Sequence, residues 1–320
     1  MTDDDVLIEA EALTRDYGSL RAVDAVDLQV RRGEVVGLLG PNGAGKSSTL
    51  GMICGTLAPS AGRVAIAGVD LIDQPRRAKR NLGYLPENPP LYPDMTVDEY
   101  LGFCAGLRGL RGGERRRAVA VAVERCNLGA ERRRLLAQLS KGFRQRAGIA
   151  QAILHNPAAI VLDEPTVGLD PIQVRKIREL IASLAAEHAV ILSTHILPEV
   201  QSVCSHVRIM HRGRIAWSDS LADFGRGDGP RHIIVGLADG AELPEGLPGV
   251  TGASELGDGR YRVTMTADED AIEQLAAALV AAGRGLRELT PEAASLEQVF
   301  VDVTAADRGD ADAAATRSAA

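Results

Sequence analysis

The sequence predicts an α/β fold: a parallel core sheet with an antiparallel edge, an inserted helical segment and a small C-terminal α/β region. Three observations predict it. Residues 40–47 read Gly-Pro-Asn-Gly-Ala-Gly-Lys-Ser, the phosphate-loop pattern G-x-x-x-x-G-K-[ST], directly after the apolar run 34–39. A second apolar run, Ile160-Val161-Leu162, ends in two carboxylates, Asp163 and Glu164. A third, 190–194, leads into His195. Continuous apolar runs of this kind suit strands buried on both faces of a parallel sheet. Polar groups at their carboxyl ends lie where open α/β folds bind ligands.

Taken along the chain, residues 5–33 alternate apolar and polar positions, as in 7–13 and 23–30, and predict an antiparallel edge. The β-prone run 34–39 feeds the loop, where Gly40, Gly43 and Gly45 permit positive φ and let main-chain N–H groups close around an anion. Pro41, Asn42 and Ala44 complete that loop. A helix over 47–55 turns its positive end toward the same anion. Lys46 is then placed for β- and γ-phosphate, the Ser47 hydroxyl for Mg²⁺, and Ser48 for α-phosphate. A short strand follows around Val64-Ala65-Ile66.

Residues 88–155 are helical by pattern, with Leu101, Cys104, Leu107 and then Val119, Val123, Cys126 at helical spacing. The runs Arg115–Arg117 and Arg132–Arg134 are expected on these helices as solvated faces. Ser140 reads as the N-cap of a helix over 144–154. Residues 156–220 return to strand–helix alternation. Within them Asp163 suits the Mg²⁺ shell, and Glu164 is placed to orient and deprotonate an attacking water. Residues 223–230 shift to glycine and charge, a linker signal. Beyond it, strands are expected at 232–237 and 261–266 and helices at 268–282 and 291–303. Residues 305–320, rich in Ala, Asp and Arg, are expected to be a disordered tail.

The 320 residues suit one large and one smaller domain. A formal net charge of −7 argues against a nucleic-acid groove. Cys54, Cys104, Cys126 and Cys204 are dispersed without a C-x-x-C pair, so free thiols are expected rather than disulfides or a metal site. The acidic N-terminus does not resemble a signal peptide. No stretch approaches the ~18 consecutive apolar residues of a membrane span.

These pieces together resemble the ATP-binding subunit, or nucleotide-binding domain, of an ABC transporter over most of residues 5–220. Leu139 to Arg146 is similar to the family signature L-S-G-G-Q-x-Q-R: Ser140, Gly142, Gln145 and Arg146 match, whereas Lys141 and Phe143 depart. The resemblance implies a P-loop NTPase core of ABC type over 5–222, with an antiparallel β subdomain and an inserted helical subdomain over about 88–155. A small α/β accessory domain, 231–304, would follow. It also implies that Ser140 and the Gly142 N–H contact the γ-phosphate held by the opposite subunit. Tyr17, expected just after the first strand, would stack on adenine, Asp170 would reach across the dimer interface, and His195 would read the γ-phosphate. Glu87 stands where most members carry Gln, so a carboxylate there would meet the metal or the attacking water.

The stretch 83–97 resembles one branch, the ATPase subunits of ABC-2-type exporters, and residues 295–300 resemble that branch's tail. The function implied is a Mg²⁺-dependent ATPase that powers such an exporter by ATP-driven dimer closure. Its cofactors would be ATP and Mg²⁺. Its partners would be an integral membrane permease on a separate chain and a second ATP-binding subunit, as a homodimer, at the cytoplasmic face of the membrane. The alternative is a soluble ABC-type ATPase with an assembly or translation role. A dimer-stabilising or regulatory role is expected for the accessory domain, with passive packing as the alternative.

Overall fold

The computed structural model describes residues 5–222, 224, 231–238, 241–244, 246–266, 271–292 and 295–305. The chain forms two compact units, dividing at Leu221/Ala222. The expected linker lies, apart from Phe224, outside the described residues, as does the tail from 306 onward.

In the first unit, β1 (Val6–Tyr17) and β2 (Leu20–Arg31) form a long hairpin, extended by β4 (Ala61–Ile66) and β5 (Val69–Asp70) into an antiparallel sheet ordered β2-β1-β4-β5. The second sheet joins β3 (Val35–Leu39), β6 (Leu82–Leu85), β7 (Ala159–Asp163), β8 (Ala189–Thr194), β9 (His206–His211) and β10 (Arg214–Ser220) in the order β10-β9-β3-β8-β7-β6. All its pairings are parallel except β9 with β10. Every residue of β3, β7 and β8 is buried, which is why these segments read as unbroken apolar runs.

Helix α1 (Lys46–Ile53) contributes Leu50, Met52 and Ile53 to one core shared with Ile8 and Leu13 of the antiparallel sheet and Val161 and Ile191 of the parallel one. Helix α2 is a single turn (Pro75–Ala78). The inserted helices are α3 (Val97–Leu107), α4 (Gly112–Arg125) and α5 (Lys141–Ile153), packed on one another. A capping box starts α3: Thr96 accepts from the Glu99 N–H at 3.3 Å, and the Glu99 carboxylate accepts from the Thr96 N–H at 2.8 Å. Helices α6 (Pro171–Ala185) and α7 (Leu197–Val203) complete the unit.

Three expectations about this first unit need correction. Helix α5 begins at Lys141, directly after its Ser140 cap, rather than at Arg144, because the cap fixes the first turn. Tyr17 closes β1 instead of following it, paired with Leu20 across the hairpin. Arg132–Arg134 lie in a turn, not a helix; Arg132 pairs with Asp98 at 2.9 Å and Arg134 with Glu131 at 2.7 Å, so local ion pairs hold the bend.

The second unit is a four-stranded antiparallel sheet in the order β12-β13-β11-β14, from β11 (Arg231–Gly236), β12 (Val250–Gly257), β13 (Arg260–Met265) and β14 (Glu288–Glu292), with helices α8 (Ala271–Ala281) and α9 (Leu296–Ala305). Alternate residues Ile233 and Val235, and Val263 and Met265, meet Leu275 and Leu279 of α8 in its core. The helix expected over 291–303 is in part strand: Pro291 pairs opposite Ile233 in β14, an edge strand where the missing N–H of proline is tolerated.

Candidate functional site

Because β3, β6, β7 and β8 run parallel as neighbours, the segments leaving their carboxyl ends arrive at one edge of the sheet. They bring the 40–45 loop, Glu87, Glu164 and His195 together. A cavity of about 470 Å³ opens there, lined by Asn42, Gly43, Gly45, Lys46, Ser47 and Ser48 and by Glu87, Glu164, Val167 and His195. Tyr17, Leu20 and Ala22 of the β1–β2 hairpin line it as well.

The loop is shaped by backbone constraints. Gly43 and Gly45 stand at φ 84° and 102°, where a β-carbon is strained, and Gly45 is the N-cap of α1. Lys46 is 7% exposed, and its ammonium donates to the carbonyls of Gly40 (2.7 Å) and Pro41 (3.1 Å). It is thereby folded back over the loop. Burial pulls its pKa below the ordinary lysine range, against the pull of the Glu164, Asp163 and Glu87 carboxylates. Asp163, buried at the end of β7, has its pKa raised chiefly by burial; the Ser193 hydroxyl opposes this, Glu164 and Glu87 add to it, and Lys46 opposes it.

Glu164 sits at φ 47°, left-handed for a side-chain-bearing residue, with its N–H donating to the Ser193 carbonyl at 3.0 Å. That turn swings its carboxylate off the strand toward His195, whose Nδ1 lies 2.9 and 3.0 Å from its two oxygens. A carboxylate can only accept, so Nδ1 carries the proton. Three carboxylates thus face one ammonium. A polyanion entering alone would be repelled, whereas a divalent cation accompanying it would balance the charge. The Ser47 hydroxyl and these carboxylates are hard oxygen donors of the kind Mg²⁺ takes, so the residues fit that ion.

Residues 23–167 match the family described as ABC transporter. The chain is 37% identical over 211 residues to the bacitracin transport ATP-binding protein BcrA of Bacillus licheniformis, covering 65% of this chain and 68% of that protein. It is 34% identical over 302 residues to the uncharacterized ABC transporter ATP-binding protein YdbJ of Bacillus subtilis, covering 94% and 96%.

The chain belongs to the ATP-binding proteins of ABC transporters.

A solved dimeric bacterial ABC transporter cassette superposes with a TM-score of 0.62 at 26% identity, covering 67% of this chain and 99% of that one. Membership makes the chain an ATPase, and its architecture is the P-loop NTPase core with antiparallel β, inserted helical and smaller C-terminal α/β parts.

In this ABC ATPase the residues singled out from sequence fall into three places. Asn42, Gly43, Gly45, Lys46, Ser47, Ser48, Glu87, Glu164, His195 and Tyr17 line the cavity. Gly40, Pro41, Ala44 and Asp163 stand behind it: the first two hold Lys46, and the Ala44 carbonyl accepts from the Gly213 N–H at 2.9 Å. Ser140, Gly142 and Asp170 do not line it. They form a second cluster at the adjoining starts of α5 and α6, where Ser140 caps the Phe143 N–H (3.4 Å) and Asp170 caps the Gln173 N–H (2.9 Å). A β-carbon on Gly142 would stand 2.8 Å from the Gln173 amide oxygen, so a side chain there would displace Gln173. The departures from the family pattern have local reasons: Phe143 lies under the Arg146 guanidinium at 4.2 Å, and the Lys141 ammonium reaches over Gly168.

Sequence reasoning missed Leu20, Ala22 and Val167 as lining residues, since small apolar side chains carry no chemical signal. It also missed Arg15, whose guanidinium covers one face of Tyr17 at 4.6 Å.

Proposed function

We propose that this chain is the ATP-hydrolysing subunit of an ABC-2-type exporter, working as a homodimer whose closure on ATP drives a separate integral membrane permease. One observation carries the reading: Glu164 and His195 hydrogen-bond to each other in the same cavity that the Lys46–Ser48 helix start lines. Lys46 and the loop N–H groups would grip the β- and γ-phosphates, with Ser48 toward the α-phosphate and Tyr17 against adenine. Ser47, Asp163 and Glu87 would hold Mg²⁺, which bound with the nucleotide neutralises charge on the phosphoryl group. Glu164 would orient the attacking water and take its proton. His195 would hold Glu164 in register and contact the γ-phosphate.

The cluster of Ser140, Gly142 and Asp170 lies outside this chain's cavity, which supports a site completed by a second copy. The dimeric cassette of similar fold supports the same reading. The relative that serves bacitracin transport and the resemblance over 83–97 support the exporter branch. Among the described residues no helix is long and apolar enough to cross a membrane, so the path for cargo would belong to the permease. The chain would then sit peripherally at the cytoplasmic face.

The decisive test is Glu164→Gln. The variant should bind Mg·ATP, lose on the order of 10²-fold or more in hydrolysis, and accumulate as a nucleotide-bound dimer by light scattering. A wild-type rate would remove Glu164 from the role.

A further inference from the structure

A fourth carboxyl group, Glu199 on α7, is 1% exposed and takes no place in the cavity. Both its oxygens accept hydroxyl donors, one from Thr166 and the other from Thr194 at 2.9 Å. Those threonines are themselves buried, at 3% and 0% exposure. Their positions give the contact its meaning. Thr166 lies two residues after Glu164, in the turn that also supplies Val167 to the cavity; Thr194 immediately precedes His195. The turn is closed by the Val167 N–H to the Glu164 carbonyl (3.3 Å) and the Leu169 N–H to the Thr166 carbonyl (3.1 Å). The Thr194 hydroxyl accepts from the Ile196 N–H at 3.1 Å, fixing the chain on both sides of His195.

The Glu164–His195 contact itself is less sheltered, since the His195 side chain is 45% exposed. A half-exposed imidazole and a carboxylate on a strained turn need their backbones held at fixed separation if their side chains are to stay at 2.9 Å. We propose that Glu199 is the positioning residue of the hydrolytic site: one buried carboxyl group clamps the turn carrying Glu164 to the strand end carrying His195. This rests on the reading that Glu164 and His195 serve hydrolysis. Glu199 touches neither nucleotide nor water and acts through the two threonines.

Four variants test it, with ATP turnover, KM for ATP and the thermal midpoint measured on the full chain. Thr166→Val and Thr194→Val each remove one hydroxyl at nearly constant volume. Glu199→Gln keeps one acceptor oxygen, and Glu199→Ala removes both. Loss of the clamp should lower kcat about tenfold to a hundredfold, with KM within about twofold because the Lys46–Ser48 grip is untouched. Glu199→Gln should recover part of the loss seen in Glu199→Ala. If Glu199→Ala fails to fold, the two threonine variants decide. Wild-type kcat in both threonine variants and in Glu199→Gln, beside an inactive Glu164→Gln, would overturn the clamp alone and leave the hydrolytic assignment standing. A normal rate in Glu164→Gln would overturn both. A fall in thermal midpoint with kcat unchanged below the transition would show Glu199 to be a packing residue and end the proposal.

Discussion

Lys46 reaches back to the carbonyls of Gly40 and Pro41, so its ammonium is already aimed along the loop, in a position where burial weakens its hold on the proton. A phosphate oxygen arriving there would exchange weak carbonyl partners for a charged one, and charge-assisted bonds of this kind are worth about 1.5–3 kcal/mol. Lys46→Ala should therefore weaken Mg·ATP binding by about tenfold to a hundredfold, read by titration calorimetry. Unchanged affinity would refute the assignment of the loop. Glu87 makes the opposite case. It faces Lys46 closely enough to oppose that residue's shift, and Gln offers one acceptor oxygen of similar reach while adding a donor. Glu87→Gln should keep hydrolysis within about threefold; a loss beyond tenfold would give the carboxylate a role of its own.

Among elements, β6 and α5 form the joint between the core sheet and the inserted helices. β6 is an edge strand, and side chains of α5 and of the turn that follows it meet its carbonyls: the Gln151 amide donates to Tyr84 at 2.7 Å, and His155 Nε2 lies 3.1 Å from the Leu82 oxygen. Gly83 lets the two backbones touch, since a β-carbon there would collide with the Ala152 carbonyl oxygen. Gly83→Ala should cost about 1–3 kcal/mol in urea unfolding, and the absence of any loss would mean that the joint can part without strain. Burial pushes the His155 pKa down to about 4, with Arg108 adding to the shift and the Leu82 carbonyl opposing it. The folded state therefore favours the neutral ring. Its contribution is complete above the ordinary histidine pKa near 6.5 and fades as pH falls toward 4. His155→Gln keeps a donor for Leu82 without a titration, so its stability relative to the parent chain should rise between pH 6.5 and 4. A constant difference in melting temperature across that window would rule this out.

At this scale, what could be read from sequence follows burial. The apolar runs that became β3, β7 and β8 are buried on both faces, and burial of that kind writes itself into composition. Arg132–Arg134 looked helical only because charge is indifferent to whether a surface segment is helix or turn, and the ion pairs that fix the bend involve Asp98 as well as the adjacent Glu131. Strand β12 escaped notice because its residues are mostly exposed and carry little apolar pattern, and β14 because Pro291 reads as a helix start.

At the scale of the molecule, the phosphate loop, Asp163, Glu164 and His195 were legible because parallel strands deliver their ends to one edge. The Glu199 clamp was not, since nothing in spacing says that two threonines share one buried carboxyl group. The same limit applies to a site divided between copies. Ser140 stands outside the cavity of its own chain, yet it caps a helix start, where N–H groups favour an anion. Ser140→Asp isolates the two roles. Aspartate is as good an N-cap as serine, so α5 should keep its first turn, while the added carboxylate repels any phosphate brought to it. In a closed twofold dimer each cavity would combine the loop of one copy with the Ser140 cluster of the other. Ser140→Asp and Lys46→Ala chains should each fail to trap nucleotide alone. Mixed in equal amounts, they should form heterodimers in which one cavity bears both lesions and the other bears neither, restoring trapping to about a quarter of the parent level. Trapping by Ser140→Asp alone at the parent level, or no gain on mixing variants that still exchange partners, would mean that the cluster at α5 never meets the nucleotide of a second copy.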